Sequence, residues 1–291
     1  AVIYKNITLL LGMLPSRHAY KVMGLAPYSN QKIASKICEI FEKSFYLKNL
    51  TFIKNKKMKS NFFYFKKNLE NYRFDNIAGG IQMYCEKILT KFFHNIHKAT
   101  NCSNFVFSGG VANNVKANKI LAEQAFISNL WIPPGPGDES ISIGAAYDFM
   151  YKKYGEKKTF NYIEIPQNAY WGPDINSKDI SQFKNNKIVK RYFNHHEDKK
   201  FQKTAKALDN GEIVFVCFSR QEFGQRALGH RSIICNPSNL ESVKKINSTI
   251  KMRDFWMPFT PSILDKDANK YVIINKKLNL NYMTVCLDST D

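Results

Sequence analysis

Apolar residues recur at helical spacing in the first half of the chain. Within residues 75–93 they fall three to four positions apart, at Ile77, Ile81, Tyr84, Ile88 and Leu89. This period places them on one face of an α-helix. We therefore predict a helix over residues 75–93.

Two short apolar runs follow this helix, at residues 104–107 and 130–132. Each ends in a loop rich in glycine or proline, and each loop precedes a helical pattern, at residues 111–125 and 141–151. The order strand, loop, helix, strand, loop, helix is typical of an α/β layer architecture.

The remaining segments are polar or lie in a second unit. Residues 48–71 are rich in Lys and Asn without a clean period, which predicts an insertion or a mobile loop. Residues 201–208 are predicted as a helix closed by Asn210-Gly211, and residues 212–218 as a buried strand. A polar stretch near residues 155–159 predicts a domain boundary. We expect one domain over residues 1–160 and a second over residues 168–291.

Composition limits the class of protein. Hydrophobic residues make up 44% and charged residues 23%, a globular balance, and no apolar run approaches the ~20 residues of a membrane helix. No two of the six cysteines form a C-x-x-C pair. We therefore expect thiols that are buried in the fold, and a protein that resides in the reducing cytoplasm. The net charge of +19 is dispersed. We interpret it as compositional, so neither a membrane nor a nucleic acid is expected as a partner.

The two strand-end loops carry the first candidate chemistry. Ser108-Gly109-Gly110 offers a backbone that a ligand can approach closely, and helix starts offer free N–H groups to phosphate. Residues 133–138 end the other strand, and two such loops at adjacent strand ends are what a nucleotide cleft needs. Asp138, the carboxylate of the second loop, could bind a divalent metal or cap the next helix.

An arginine-rich stretch at residues 219–232 carries the second group of residues with candidate chemistry. Arg220, Arg226 and Arg253, with Lys251, could form an oxyanion pocket, because guanidinium forks bind phosphate and carboxylate. The alternative is a set of salt bridges with Glu222 and Asp254. His195-His196 is interpreted as a solvated loop, since adjacent side chains point apart.

Six segments resemble, in order, those of the NodU/CmcH-type O-carbamoyltransferase family. They are Lys21-Val22-Met23-Gly24-Leu25-Ala26-Pro27-Tyr28, Asp75-Asn76-Ile77-Ala78 with Gln82, residues 108–114, Gly137-Asp138 with residues 142–146, residues 222–233, and residues 246–262.

The resemblance implies a fold, an activity and cofactors. It implies an actin/Hsp70-like (ASKHA-type) ATP-binding domain, present in part, followed by a YrdC-like α/β domain. It implies ATP-dependent transfer of a carbamoyl group from carbamoyl phosphate, through carbamate and carbamoyl adenylate, to a hydroxyl of a small molecule or sugar. ATP and a divalent metal, of the iron type or Mg²⁺ for the nucleotide, would be the cofactors. A homodimer is compatible with it.

Residue roles also follow from the resemblance. Ser108, Gly109, Gly110 and Asn114 match the nucleotide loop, Asp138 matches a metal ligand, and Arg226 and Lys251 match carbamoyl-phosphate-binding positions.

The sequence also departs from the family's pattern. The family's His-x-x-x-His metal pair is missing, Gln225 replaces a proline, and Glu139 and Ser140 replace small residues. We therefore expect a catalytically incomplete chain lacking both ends of the enzyme. A tRNA-modifying relative or RNA-binding module, and an inactive fragment, are the alternatives.

Overall fold

A computed structural model describes residues 1–162, 167–175, 197–276 and 278–290. The chain divides into two compact units. The first comprises Ala1–Ile141 and Trp256–Asp291, and the second Ser142–Phe255. His195 and His196 lie outside the described residues.

The first unit is a mixed α/β structure. Its helices are α1 Val2–Leu10, α2 Ala19–Leu25, α3 Gln31–Ser44, α4 Asn61–Leu69, α5 Phe74–Thr100 and α6 Val115–Ala122. Its strands are β1 Phe45–Lys48, β2 Thr51–Lys54, β3 Asn104–Val106 and β4 Asn129–Trp131. β1 and β2 form an antiparallel hairpin, and β3 and β4 pair in parallel.

Helix α5 organises both cores of this unit. Its first half packs Ile77 and Ile81 in a cluster with Ile37 and Phe41 of α3. Its second half contributes Leu89 and Phe93 to a cluster shared with α6, β3 and β4. The predicted helix over residues 75–93 is therefore confirmed, and it is longer than its clearest period.

The prediction of a mobile loop at residues 48–71 is wrong, and its alternative, an insertion, stays a prediction. The segment contains strand β2 and helix α4, and Met58, Phe65 and Leu69 are buried. The Phe65 ring lies 5.1 Å from that of Phe41. Phe65 is buried among Lys and Asn neighbours because Phe41 of α3, which is distant in sequence, packs against it, and no local period could show this.

The second unit contains a hairpin and several helices. The helices are α7 Ile141–Tyr154, which begins at the last residue of the first unit, α8 Glu156–Tyr162, α9 Glu197–Asp209 and α10 Leu240–Lys245. The strands are β5 Val214–Cys217 and β6 Arg231–Ile234, which pair antiparallel. A π-helical turn, Ile246–Ile250, continues α10.

Two predictions for the second unit have different outcomes. Gly211 ends α9 with φ +79°, as the Asn-Gly pair predicted. The buried strand over residues 212–218 is wrong in burial: β5 alternates, and Phe215 is 65% exposed. Cys102 and Cys217 are likewise exposed, whereas Cys38 is buried as predicted.

The chain returns to the first unit through residues 256–290, which we call the return segment. It contains a 3₁₀ turn, Asp265–Asp267, and a short helix, Ala268–Tyr271. Trp256 donates from Nε1 to the carbonyl of Lys21 over 3.2 Å. Among the helices described, none is both long and apolar enough to span a bilayer.

Candidate functional site

The two predicted loops meet at the carboxyl ends of β3 and β4. The parallel pairing continues past the strands, because the Phe107 N–H donates to the Trp131 carbonyl over 2.9 Å. The Gly109 N–H then donates to the Pro136 carbonyl over 2.6 Å. The expectation that both loops lie side by side at one sheet edge is confirmed.

The first loop presents open backbone. Gly109 has φ +97° and ψ 163°, a conformation that glycine alone adopts readily. Among the described residues, no heavy atom lies within 4 Å of a Cβ built at Gly109 or Gly110, and Ser108 is exposed. The backbone of this loop is therefore open to close approach by a ligand.

Asn114 sits at the end of this loop with its side chain turned towards α5. Its Oδ1 accepts from the Ala117 N–H over 3.0 Å, which caps α6. Its amide also exchanges bonds of 3.0 and 2.9 Å with Gln82. This cap splits the predicted helix 111–125 into a 3₁₀ turn, Gly110–Asn113, and α6. Asn114 thus holds the loop in place from the side that faces α5.

Gln82 uses its whole amide in this network. Nε2 also donates to Glu86 over 2.8 Å, and Oε1 also accepts from the Tyr4 hydroxyl over 3.1 Å. Burial raises the pKa of Tyr4 well above its usual value and that of the neighbouring Cys85 thiol to about 12. Both groups stay protonated at neutral pH, so the network carries no charge from them.

Asp138 opens a 3₁₀ turn, Asp138–Ser140, that leads into α7. Gly137 occupies the capping position and no side-chain cap bond forms, so the geometry does not support Asp138 as the cap. The carboxylate is exposed. Within the described ranges, no group of three His, Cys, Asp or Glu side chains gathers to hold a metal. The described residues alone therefore do not form a metal site.

In the second unit, the arginine-rich stretch folds around Glu222. Its Oε1 accepts the N–H groups of Leu228, His230 and Arg231 over 2.8–2.9 Å. Burial, at 8% exposure, raises the pKa of this carboxyl, but the backbone donors outweigh it and the pKa is lowered. Glu222 is thus the ionised centre of the loop and not an ion-pair partner of the arginines.

Two arginines are engaged with backbone. Arg220 donates to the carbonyls of Trp171 and Gly172 over 2.9 and 3.0 Å. Arg231 donates to the carbonyls of Phe218 and Ser219 over 2.9 and 3.0 Å. The described contacts of Arg220 are thus with backbone carbonyls, and they match neither the anion pocket nor the salt bridge that the sequence offered as alternatives.

His230 is held between two aromatic rings. It stacks on Tyr170 at 3.6 Å between centroids, and the Phe218 ring lies 4.4 Å away. Its Nδ1 lies 2.7 Å from the Arg220 carbonyl oxygen. Because a carbonyl oxygen can only accept a hydrogen bond, Nδ1 carries the proton. Tyr170 in turn donates its hydroxyl to the Leu228 carbonyl over 2.9 Å.

Arg226 and Lys251 occupy different surroundings. Arg226 is half-buried, and burial lowers the pKa of its guanidinium. Lys251 is exposed and follows the π-helical turn, with its N–H donating to the Ile246 carbonyl over 2.7 Å. Met252 after it has φ +46°, a left-handed conformation that is strained for this residue. π-helical turns and such strain are frequent at functional sites.

Two surface cavities of about 560 and 590 Å³ lie elsewhere in the described chain. The first is lined by residues of α5 and α6, including Lys87, Thr90 and His94. The second lies in the second unit, between β5 and α10. None of the predicted site residues lines either cavity.

Comparison with known proteins agrees with the sequence motifs. A family model described as "Carbamoyltransferase N-terminus" matches residues 1–147, and one described as "Carbamoyltransferase C-terminus" matches residues 205–291. The chain belongs to the carbamoyltransferase family. The resemblance noted in the sequence is thereby confirmed.

Three relatives show how far the similarity extends. An uncharacterized protein of Methanocaldococcus jannaschii is 32% identical over 93% of this chain and 52% of its own length. An uncharacterized protein of Synechocystis is 28% identical, over 93% and 46%. Nodulation protein NolO of Bradyrhizobium diazoefficiens is 26% identical, over 87% and 46%. The chain spans about half the length of these carbamoyltransferase-family relatives.

Sequence reasoning missed several supporting residues of this carbamoyltransferase-family chain. Gln82 was noted only as part of a motif, and its pairing with Asn114 needed the fold. For Glu222 the sequence offered only salt bridges, as the alternative to an anion pocket, and not its role as an acceptor of backbone N–H groups. Asn118, fully buried on α6, was not noticed, because a lone Asn within a helix carries no local signal.

Proposed function

We propose that this chain contributes to an ATP-dependent O-carbamoyltransferase that uses carbamoyl phosphate and acts on a hydroxyl of a small molecule or sugar. The observation that carries the proposal is the adjacency of the two strand-end loops, joined by the 2.6 Å bond from Gly109 to Pro136. Family membership supplies the chemical class.

In the first unit, we assign the nucleotide to the open backbone of Ser108, Gly109 and Gly110. ATP held there would supply the adenylyl group that activates carbamate, and pyrophosphate would be the leaving group. This chain's part is to present N–H groups at the loop and to hold the loop rigid through Asn114. The actin/Hsp70-like assignment of this unit is part of the proposal, as is the domain 1–160.

Asp138 is proposed as one ligand of a divalent metal at the same sheet edge. Its carboxylate is exposed and lies two residues beyond Pro136, whose carbonyl accepts from Gly109. Since no group of three His, Cys, Asp or Glu side chains gathers to hold a metal among the described residues, no step is assigned to the metal.

In the second unit, we assign carbamoyl phosphate to Arg226 and Lys251. The YrdC-like assignment of this unit and the domain 168–291 belong to the same proposal. Glu222 supports this assignment physically: by accepting three backbone N–H groups within residues 228–231, it limits the freedom that Arg226 would lose on binding an anion.

Carbamoyl-phosphate hydrolysis by the purified protein tests the proposal. Arg226→Ala and Lys251→Ala should each lower turnover at least about tenfold, because a charge-assisted contact to phosphate is lost. Lys244→Ala is the matched control, since Lys244 is an exposed cation of the same unit that pairs with Glu241. Equal turnover in Arg226→Ala, Lys251→Ala and the control would refute both assignments.

We further propose that the 291 residues alone bind ATP weakly and do not transfer a carbamoyl group. Among the described residues nothing lies within 4 Å of a Cβ built at Gly109 or Gly110, and Val106 of β3 is 70% exposed. Carbamoylated product formed by this chain alone would refute that. Tight tRNA binding with a steep salt dependence would favour an RNA-directed relative instead.

A further inference from the structure

Asn118 is a fully buried polar side chain at the centre of α6. Its Nδ2 donates two hydrogen bonds of 2.7 Å, one to the Ala112 carbonyl and one to the Thr284 carbonyl. Ala112 lies in the 3₁₀ turn of the proposed nucleotide loop, and Thr284 lies in the return segment. One carboxamide therefore ties the loop to a segment 166 residues away along the chain.

The return segment is anchored on α6 at further points. Lys276 donates from Nζ to the carbonyls of Gln124 and Ile127 over 2.6 and 2.8 Å, just past the end of α6. Lys119 forms an ion pair of 2.5 Å with Asp288. The Cys286 N–H donates to the Val115 carbonyl over 3.3 Å at the start of the helix. These contacts follow α6 along its whole length.

Apolar contacts reinforce this seat. Leu278 and Val285 pack against the core cluster that contains Ala112 and Leu121, and Tyr282 is fully buried. If the segment only rested on the protein surface, it would not bury an aromatic ring or two donors that bond to backbone carbonyls.

We propose that Asn118 is a positioning residue for the Ser108–Asn114 loop, and that the return segment is part of that loop's support. Its nucleotide role rests on the proposed function. The loop is then held from two sides: Asn114 ties it to α5, and Asn118 ties it to the return segment. The residues that set the nucleotide loop thus include some from the far end of the chain.

Asn118 Oδ1 sharpens the argument. This atom is buried and has no hydrogen-bond partner in the described structure. Leaving a buried acceptor unpaired is unfavourable, so a side chain chosen only to fill space would be apolar. The amide is explained by its two donor bonds.

Hydrogen exchange of the 291-residue chain, without nucleotide, tests the proposal. The informative amides are those of Ala112 and Asn114, which donate to the Gly109 and Val111 carbonyls. In Asn118→Leu, which keeps the side chain's size, these amides should exchange at least about tenfold faster, as expected when two hydrogen bonds are lost. Phe65→Leu is the control, because Phe65 is buried in the other core cluster of the same unit.

The comparison is made at urea concentrations that give equal global stability. Acceleration in Asn118→Leu beyond that in Phe65→Leu supports the proposal, and equal exchange overturns it. If Asn118→Leu does not fold, Lys276→Met takes its place, since it weakens the return segment and leaves Asn118 intact. Several-fold faster loop exchange then supports the proposal, and unchanged exchange overturns it. Carbamoyl-phosphate hydrolysis in the Arg226→Ala and Lys251→Ala variants, measured separately, tests the proposed function and does not depend on this result.

Discussion

The side-chain amides of Gln82 and Asn114 face each other and exchange two hydrogen bonds, of 3.0 and 2.9 Å, across 32 residues of sequence. The pair joins the long helix α5 to the end of the Ser108–Asn114 loop. It is largely shielded from water, where such bonds contribute more to stability than at the surface.

We expect Asn114→Ala to lower the free energy of unfolding by about 2–3 kcal/mol, through loss of the α6 cap and of the amide pair. Gln82→Met should cost about 1–2 kcal/mol. In a double-mutant cycle by urea unfolding, the two should show a coupling of about 1 kcal/mol. Asn68→Ala, at an exposed asparagine, is the control. Strict additivity of Gln82→Met and Asn114→Ala would argue against the pair.

Gly110→Ala should separate ligand access from folding. Gly110 is not in a left-handed conformation and has open space around it, so alanine should change stability by less than about 0.5 kcal/mol. A methyl group there would nevertheless obstruct a nucleotide that contacts the backbone. We expect the ATP affinity, which we propose to be weak in the wild type, to fall further by at least about tenfold in calorimetry at high nucleotide concentration. Gly144→Ala, also in open space, is the control and should bind as the wild type does.

Gly109→Ala should behave differently, because Gly109 has φ +97°. Alanine is strained there, and the free energy of unfolding should fall by about 1–2 kcal/mol. Equal stability of the Gly109→Ala and Gly110→Ala variants in thermal unfolding would contradict the described conformation of the loop.

Asp138→Ala distinguishes a ligand from a cap. The carboxylate is exposed and Gly137 holds the capping position, so unfolding should change by less than about 0.5 kcal/mol. Divalent-metal binding in the presence of ATP should weaken. A loss of about 1 kcal/mol with unchanged metal binding would instead restore the capping interpretation.

The Glu222 carboxylate should make the second unit sensitive to acid. Its pKa in the folded protein is lowered, so its contribution is present above its unfolded pKa and is lost as the pH falls through the folded one. Glu222→Gln should cost about 1–3 kcal/mol at pH 7. The difference from wild type should begin to shrink as the pH falls below the ordinary glutamate pKa of about 4.3, and it should be lost once the pH passes the lower pKa of the folded protein. A difference in urea midpoint that stays constant down to about pH 3 would contradict this role.

The sequence was most informative where structure is local. The period of residues 75–93 predicted α5, and Gly109 and Pro136 marked strand ends that do meet. It failed where the partner is distant. The sequence predicted that Phe65 lies in a polar loop, whereas its ring packs against Phe41. It predicted that Phe215 is buried, whereas this face of the hairpin is exposed.

The candidate site divides in the same way. Gly109 and Gly110 could be singled out because residue type alone signals an open backbone. The roles of Gln82, Asn118 and Glu222 could not, because each depends on donors or acceptors brought together by the fold. Arg220 shows the converse: its residue type suggested an anion site, whereas its guanidinium holds two carbonyls.

The position of the return segment has a consequence for synthesis on the ribosome. The second unit is continuous in sequence, whereas the first unit lacks Thr284 until the second unit has been synthesised. At about 5–20 residues per second, the 166 residues between Asn118 and Thr284 take roughly 10–30 s to appear. During that interval, the Asn118 amide and the face of α6 that contacts the return segment lack these contacts. Nascent chains stalled before residue 276 should therefore be a preferred target for chaperones.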